Sequence, residues 1–138
     1  MIKRARNLVF WIAIVSSAQV QPQATVHIYR YKLTVATAAH PTVSCDLVPV
    51  VRIQNGRVYA LKVSPGRHSF ATADSHAGVD VDAEPGKDYF VRIDYPPNTS
   101  FARHASPVLV PPEEGRMEIR KLRPLDKWYI ENATCGKP

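Results

Sequence analysis

The sequence predicts a mostly β fold: a small single-domain antiparallel β-sandwich with one short C-terminal helix. Short runs of alternating apolar and polar residues recur along the middle of the chain, separated by turn signals roughly every 8–12 residues. Two of those signals are Pro-Gly steps, in 63–70 (VSPGRHSF) and 84–90 (EPGKDYF), where Pro presets φ and Gly takes the positive φ that follows. Helical charge order, acids first and bases last, comes late, at 113–122 (EEGRMEIRKL).

The domain is preceded by a different kind of segment. Lys3, Arg4 and Arg6 lead into an apolar run, LVFWIAIV, and then Ser16-Ser17-Ala18. This is the pattern of a secretory signal, residues 1–18, cleaved after Ala18. The apolar run is far shorter than the roughly 20 residues of a spanning helix. Residues 19–23 are a polar, disordered leader. Residues 24–125 are the β-sandwich, and 126–138 form a tail.

In 24–31 (ATVHIYRY), Val26 and Ile28 point one way and Thr25, His27 and Tyr29 the other. A short strand at 33–35 follows. Strand pieces at 42–45 and 48–53 are interrupted near Asp46, and Pro49 marks an edge or a bulge. Asn55-Gly56 suits a primed hairpin turn. Tyr59, Leu61 and Val63 then share one face, as do His68, Phe70 and Thr72. Val79, Val81 and Ala83 face inward, as do Tyr89, Val91, Ile93 and Tyr95 on the longest strand, leaving Phe90, Arg92 and Asp94 outward.

Both Pro-Gly steps read as hairpins. For the second, paired residues must share a face, so a loop of Pro85-Gly86-Lys87 sets Val81 opposite Val91, Asp82 opposite Phe90 and Asp80 opposite Arg92 as an ion pair. Residues 107–110 form the last strand before Pro111-Pro112. In the helix at 113–122, Met117, Ile119 and Leu122 supply the apolar face.

Removing Lys3, Arg4 and Arg6 with the leader lowers the formal net charge from +6 to +3. The remaining Lys and Arg are scattered among acids, which argues against nucleic acid as a partner. Cys45 and Cys135 are both in the exported part, and in an oxidising compartment they pair, tying the tail to an early strand. No Cys stands at the end of the signal to carry a lipid, so the expected product is soluble, in the periplasm or outside the cell, with no membrane span after signal removal.

The succession ATVHIYRY, NGRVYALKVSPGRHSF, EPGKDYFVRI and EEGRMEIRKL, ending near Arg123-Pro124-Leu125, resembles the bacterial family catalogued as domain of unknown function 2846. The resemblance covers roughly residues 24–125. It implies an exported, envelope-associated β-domain, often on a lipoprotein, with no established reaction and no catalytic residues to transfer.

Chemistry-bearing patterns are weak. The histidines His27, His40, His68, His76 and His104 lack zinc-ligand spacing. There is no G-x-S-x-G, and a Ser/His/Asp set can be drawn from almost any chain holding these residues. The expectation is therefore a non-enzymatic binding or structural module without a cofactor, its partner an envelope protein or a glycan. The binding residues nominated are Phe90, Arg92 and Asp94 on the outer strand face, with Phe101 and Arg103 in the loop after it. Phe90 also suits a second role, as the floor beneath the helix. The competing reading is a small secreted enzyme or metal-binding protein using Asp74, His76 and Asp80.

Overall fold

The structure, a computed structural model, describes residues 12–14, 22–34, 38–73, 78–95 and 104–136. The segment 1–18 read as a signal lies outside the described residues apart from residues 12–14, as does part of the expected leader at 19–23. Among the described residues no helix is long and apolar enough to cross a membrane.

The strands are β1 (Ala24–Tyr29), β2 (Thr42–Cys45), β3 (Val48–Arg52), β4 (Arg57–Val63), β5 (Gly66–Thr72), β6 (Val79–Ala83), β7 (Asp88–Asp94) and β8 (Ser106–Val110). Helix α1 (Pro112–Ile119) follows, then β9 (Arg123–Pro124), a 3-10 turn (Lys127–Tyr129) and β10 (Thr134–Cys135). They form two sheets, one in the order β10-β4-β1-β7-β8 with β9 also on β4, the other in the order β3-β2-β5-β6. No strand forms at residues 33–34, where the chain bends at Thr34, and Val35 lies outside the described residues.

The core lies between the sheets. Val26, Ile28, Leu61, Val63, Val91 and Ile93 come from the first, and Val43, Val51, Phe70 and Val81 from the second. The alternation read from the sequence gives the shared faces of Val26 and Ile28, of Leu61 and Val63, and of Val91 and Ile93, and the inward side of Val81; it assigns no facing to Val43 or Val51. The pairing is less uniform than expected. β1 pairs antiparallel with β4 but parallel with β7, so the first sheet is mixed.

The Pro-Gly steps do not close hairpins. β4 and β5 lie in different sheets, and so do β6 and β7. Each step is a corner that carries the chain across the core. The reason is that β4 uses its edges on β1 and on the tail pieces β9 and β10, while β5 lies between β2 and β6. In-out alternation marks the core side in a hairpin and in a corner alike, so it cannot tell them apart. The expected Asp80–Arg92 pairing fails with it: Asp80 stands opposite Ser69, and Arg92 opposite Tyr29 and Val108.

Asn55-Gly56 is likewise a connection between sheets. Only Gly56 takes a positive φ there, 69°. The Asn55 carboxamide instead clamps the chain after β1: it accepts from Leu33 N–H and donates to Leu33 C=O, both at 2.8 Å. The primed-turn geometry occurs at Asp46 (φ 51°) and Leu47 (φ 69°), which join β2 to β3. Pro49 is on an edge strand, and the register shift of a bulge lies beside it.

The tail lies along that edge. Ile130 bridges to Val51, Glu131 and Asn132 N–H groups donate to Val50 C=O (2.8 and 3.1 Å), and the Asn132 carboxamide donates to Pro49 C=O (2.6 Å). The Cys45–Cys135 disulfide then joins the two sheets across a sequence separation of 90. Closing such a loop contributes about 4 kcal/mol in the chain-entropy model.

Helix α1 covers the other face of the mixed sheet. Tyr29, Phe90 and Val110 form a second buried cluster, with Ile119 and Leu122 packed on it. Met117, expected on the apolar face, is largely exposed. The contact residue is Gly115: a Cβ there would lie 2.2 Å from Phe90 Cγ. In a free helix, Gly→Ala stabilises by about 1 kcal/mol. Here Gly115→Ala lifts the helix from its seat, and denaturant unfolding should show a loss of about 1–3 kcal/mol. A gain in stability would mean that the helix does not rest on Phe90.

Candidate functional site

Of the residues nominated on the outer strand, Phe90 is core. It is buried under α1, stacked on His27 with ring centroids 4.7 Å apart, so it offers no face to a partner. Arg92 is engaged within the chain. Its guanidinium donates to Asp94 (2.8 and 3.1 Å) and to Glu118 (2.9 and 3.1 Å), with Glu114 at 3.6 Å and the Tyr31 ring 5.4 Å away. These partners hold the guanidinium well above its ordinary pKa, the Asp94 hydrogen bond contributing most. Phe101 and Arg103 lie outside the described residues, as do Asp74 and His76. Asp80 is exposed on β6.

Glu118 is the hub of this network. Tyr29 O–H donates to it, and Tyr31 is hydrogen-bonded to it as well. Burial raises the Tyr29 hydroxyl well above its ordinary pKa, with the Glu118 hydrogen bond adding to the shift, and the same two causes push Tyr31 up to about 12. Burial would raise the carboxyl of Glu118, but hydrogen bonds from Tyr29, Tyr31 and Arg92 outweigh it and hold the group below its ordinary value. The network fastens α1 to β7 and β1, and its charges are answered internally.

The opposite end of the molecule is built differently. The turn Asp46-Leu47 places the Asp46 carboxylate over the start of β5. Its Oδ1 accepts from Ser69 N–H at 2.9 Å, and its Oδ2 lies 2.6 Å from His68 Nδ1. The other ring nitrogen, Nε2, lies 2.6 Å from Ser64 C=O. Ser64 C=O can only accept, so Nε2–H donates to it, and the short contact at Nδ1 is made with the Asp46 carboxyl. His68 is buried, with a side chain 6% exposed. The disulfide lies against this pair: Cys135 Sγ is 3.5 Å from Asp46 Oδ2 and 3.8 Å from His68 Nδ1. Gly136 (φ 91°) closes the corner, where a Cβ would meet Ser64 Oγ at 2.0 Å.

Ser64, His68 and Asp46 stand in the order of a hydrolytic triad, with Nε2 closer to the Ser64 carbonyl than to its hydroxyl. The ring N–H donates to the Ser64 carbonyl at 2.6 Å, while Ser64 Oγ stands 3.3 Å from the same nitrogen. A cavity of about 340 Å³, lined by Cys45, Asp46, Val48, Val50, Asn132 and Cys135 among others, opens beside the disulfide. At its rim Leu47 is 94% exposed and Val48 51% exposed.

Sequence reading pairs the cysteines but nominates none of His68, Asp46 and Ser64 as a site, placing its metal alternative at Asp74, His76 and Asp80 instead. The available signal was adjacency: Asp46 follows Cys45, and Ser64 sits four residues before His68 across the Pro-Gly step. What joins them is the β2–β5 pairing, Cys45 opposite Phe70, which no local pattern encodes.

Comparison with models of known protein families, with curated proteins and with solved structures finds no match.

The Glu118 shift fixes the sign of a pH effect. A carboxyl held below its unfolded value contributes stability above the unfolded pKa, and that contribution is lost as pH falls through the folded one. Glu118→Gln should cost about 1–3 kcal/mol near neutral pH. Urea unfolding across a pH series should show the gap to wild type narrowing below about pH 4. A gap independent of pH would mean that the charge of Glu118 is not what holds the helix.

Proposed function

We propose that the chain is an exported, non-enzymatic β-sandwich module that binds a protein of the cell envelope through the turn Asp46-Leu47-Val48. Leu47 carries this reading. Its backbone sits at φ 69°, which costs an L-residue about 1–2 kcal/mol, and its side chain is 94% exposed. Leu47 thus adds nothing to the core from a position that disfavours it. Strain of this kind points to use. The signal pattern at residues 1–18, the disulfide and the resemblance to the envelope family support export.

The partner's chemistry follows from the tip. An aliphatic residue next to Val48 suits an apolar pocket on a protein, whereas a sugar ring stacks on an aromatic face. Among the described residues the most exposed aromatic of the large hydrophobics is Trp128, 77% exposed on the 3-10 turn. It favours the second reading, a glycan contact.

The test is capture from envelope extract by the oxidised protein, beside Leu47→Asn and Trp128→Ala. Asn tolerates positive φ, so Leu47→Asn should leave thermal stability unchanged or raised while partner capture falls at least tenfold. Loss with Trp128→Ala alone would transfer the function to the aromatic. Capture unaffected by either variant would refute both contacts.

A further inference from the structure

We propose that the corner around the Cys45–Cys135 bridge is a redox-gated site for a thiolate-preferring divalent cation such as Zn²⁺. Once the bridge is reduced, the ligands are Cys45 Sγ, Cys135 Sγ, His68 Nδ1 and a carboxylate oxygen of Asp46. The four side chains already place their ligand atoms within 4.8 Å of one another. Two thiolates, an imidazole and a carboxylate make a donor set of the kind zinc takes.

The spacing fits. A tetrahedral zinc with Zn–S of about 2.3 Å and Zn–N or Zn–O of about 2.0 Å has sulfur-to-nitrogen and sulfur-to-oxygen edges of about 3.5 Å. Cys135 Sγ stands 3.5 Å from Asp46 Oδ2 and 3.8 Å from His68 Nδ1. Reduction frees the two sulfurs to separate, and the His68–Asp46 contact of 2.6 Å opens to admit the ion.

The outer partners are in place as well. Metal-bound histidines donate their second ring N–H to a carbonyl or carboxylate, which fixes the tautomer. His68 Nε2 has Ser64 C=O at 2.6 Å, leaving Nδ1 for the metal. Asp46 Oδ1 is held by Ser69 N–H at 2.9 Å, leaving Oδ2. The cavity beside Cys45 and Cys135 supplies a path from solvent.

The chemistry balances. A dithiol reductant gives two electrons and two protons to the disulfide and leaves as its own disulfide. The cation then displaces one proton from each thiol. Both protons pass to solvent.

The test uses the full chain, oxidised or reduced by a phosphine that is then removed without air, and titrated with Co²⁺ and with Zn²⁺ in competition. The reduced protein should take up one equivalent, with sulfur-to-cobalt charge-transfer absorption and tetrahedral visible bands, and the oxidised protein none. His68→Ala should weaken uptake by at least about 100-fold, beyond the 10–100-fold of an outer partner. If that variant does not fold, Asp46→Asn, which keeps the acceptor for Ser69, should weaken it at least tenfold. Far-UV circular dichroism follows folding throughout. Four outcomes overturn the proposal: no stoichiometric metal on the reduced chain, equal uptake by the oxidised chain, wild-type affinity in the folded variant, or a reduced chain that unfolds and is not refolded by zinc.

Discussion

The architecture depends on β1 being buried on both faces. Val26 and Ile28 point into the space between the sheets, while Tyr29 points into the cluster under α1. A strand covered on both sides needs neighbours at both edges and a layer on each face. β4 and β7 supply the edges, one antiparallel and one parallel. The parallel partner requires a long crossover between them, and the chain makes it by passing through the second sheet. The two Pro-Gly corners, the mixed pairing and the seat for the helix all follow from that arrangement.

The same arrangement decides what the polar groups do. Under α1, Arg92, Glu118, Tyr29 and Tyr31 answer one another in a half-buried layer, where an unmatched charge would be costly. Nearer the corner after β1, Arg30 is fully buried, donating to Ala39 C=O at 2.6 Å with its guanidinium 4.6 Å from the Tyr95 ring, and burial lowers its pKa. These groups position elements. The disulfide corner differs, because there an imidazole, a carboxylate and two sulfurs meet beside an open cavity.

Much of the fold was legible because a strand's inward face is a local property. The alternation in residues 57–63, 66–72, 79–83 and 88–94 identifies the core-facing residues, and the late charge order identifies the helix over Phe90. Strand partners were not legible. Pro65-Gly66 and Pro85-Gly86 set the direction of the chain over a few residues, but not which sheet receives the next strand. The even-sum rule applied to Val81 and Val91 assumed one sheet for both. The site was harder still. Cys45 and Cys135 pair by count and compartment, yet Asp46 reaches His68 only through the register of β2 on β5. Gly115 carried no signal either, since a helical glycine reads as a defect until the ring beneath it is known.

The course of the tail along β3 bears on how these molecules behave in a crowd. Sheet edges are places where one chain can recruit another. β6, the far edge of the second sheet, presents exposed Asp80 and Asp82, whose like charges repel a copy of themselves. β3 has no such charge row. It is guarded by residues 130–132, whose backbone and carboxamide groups occupy Val50 C=O and Pro49 C=O. Residues 130–132 therefore shield this edge against strand exchange, and a proteolytic cut before Ile130 would weaken that cover and open β3 to another chain.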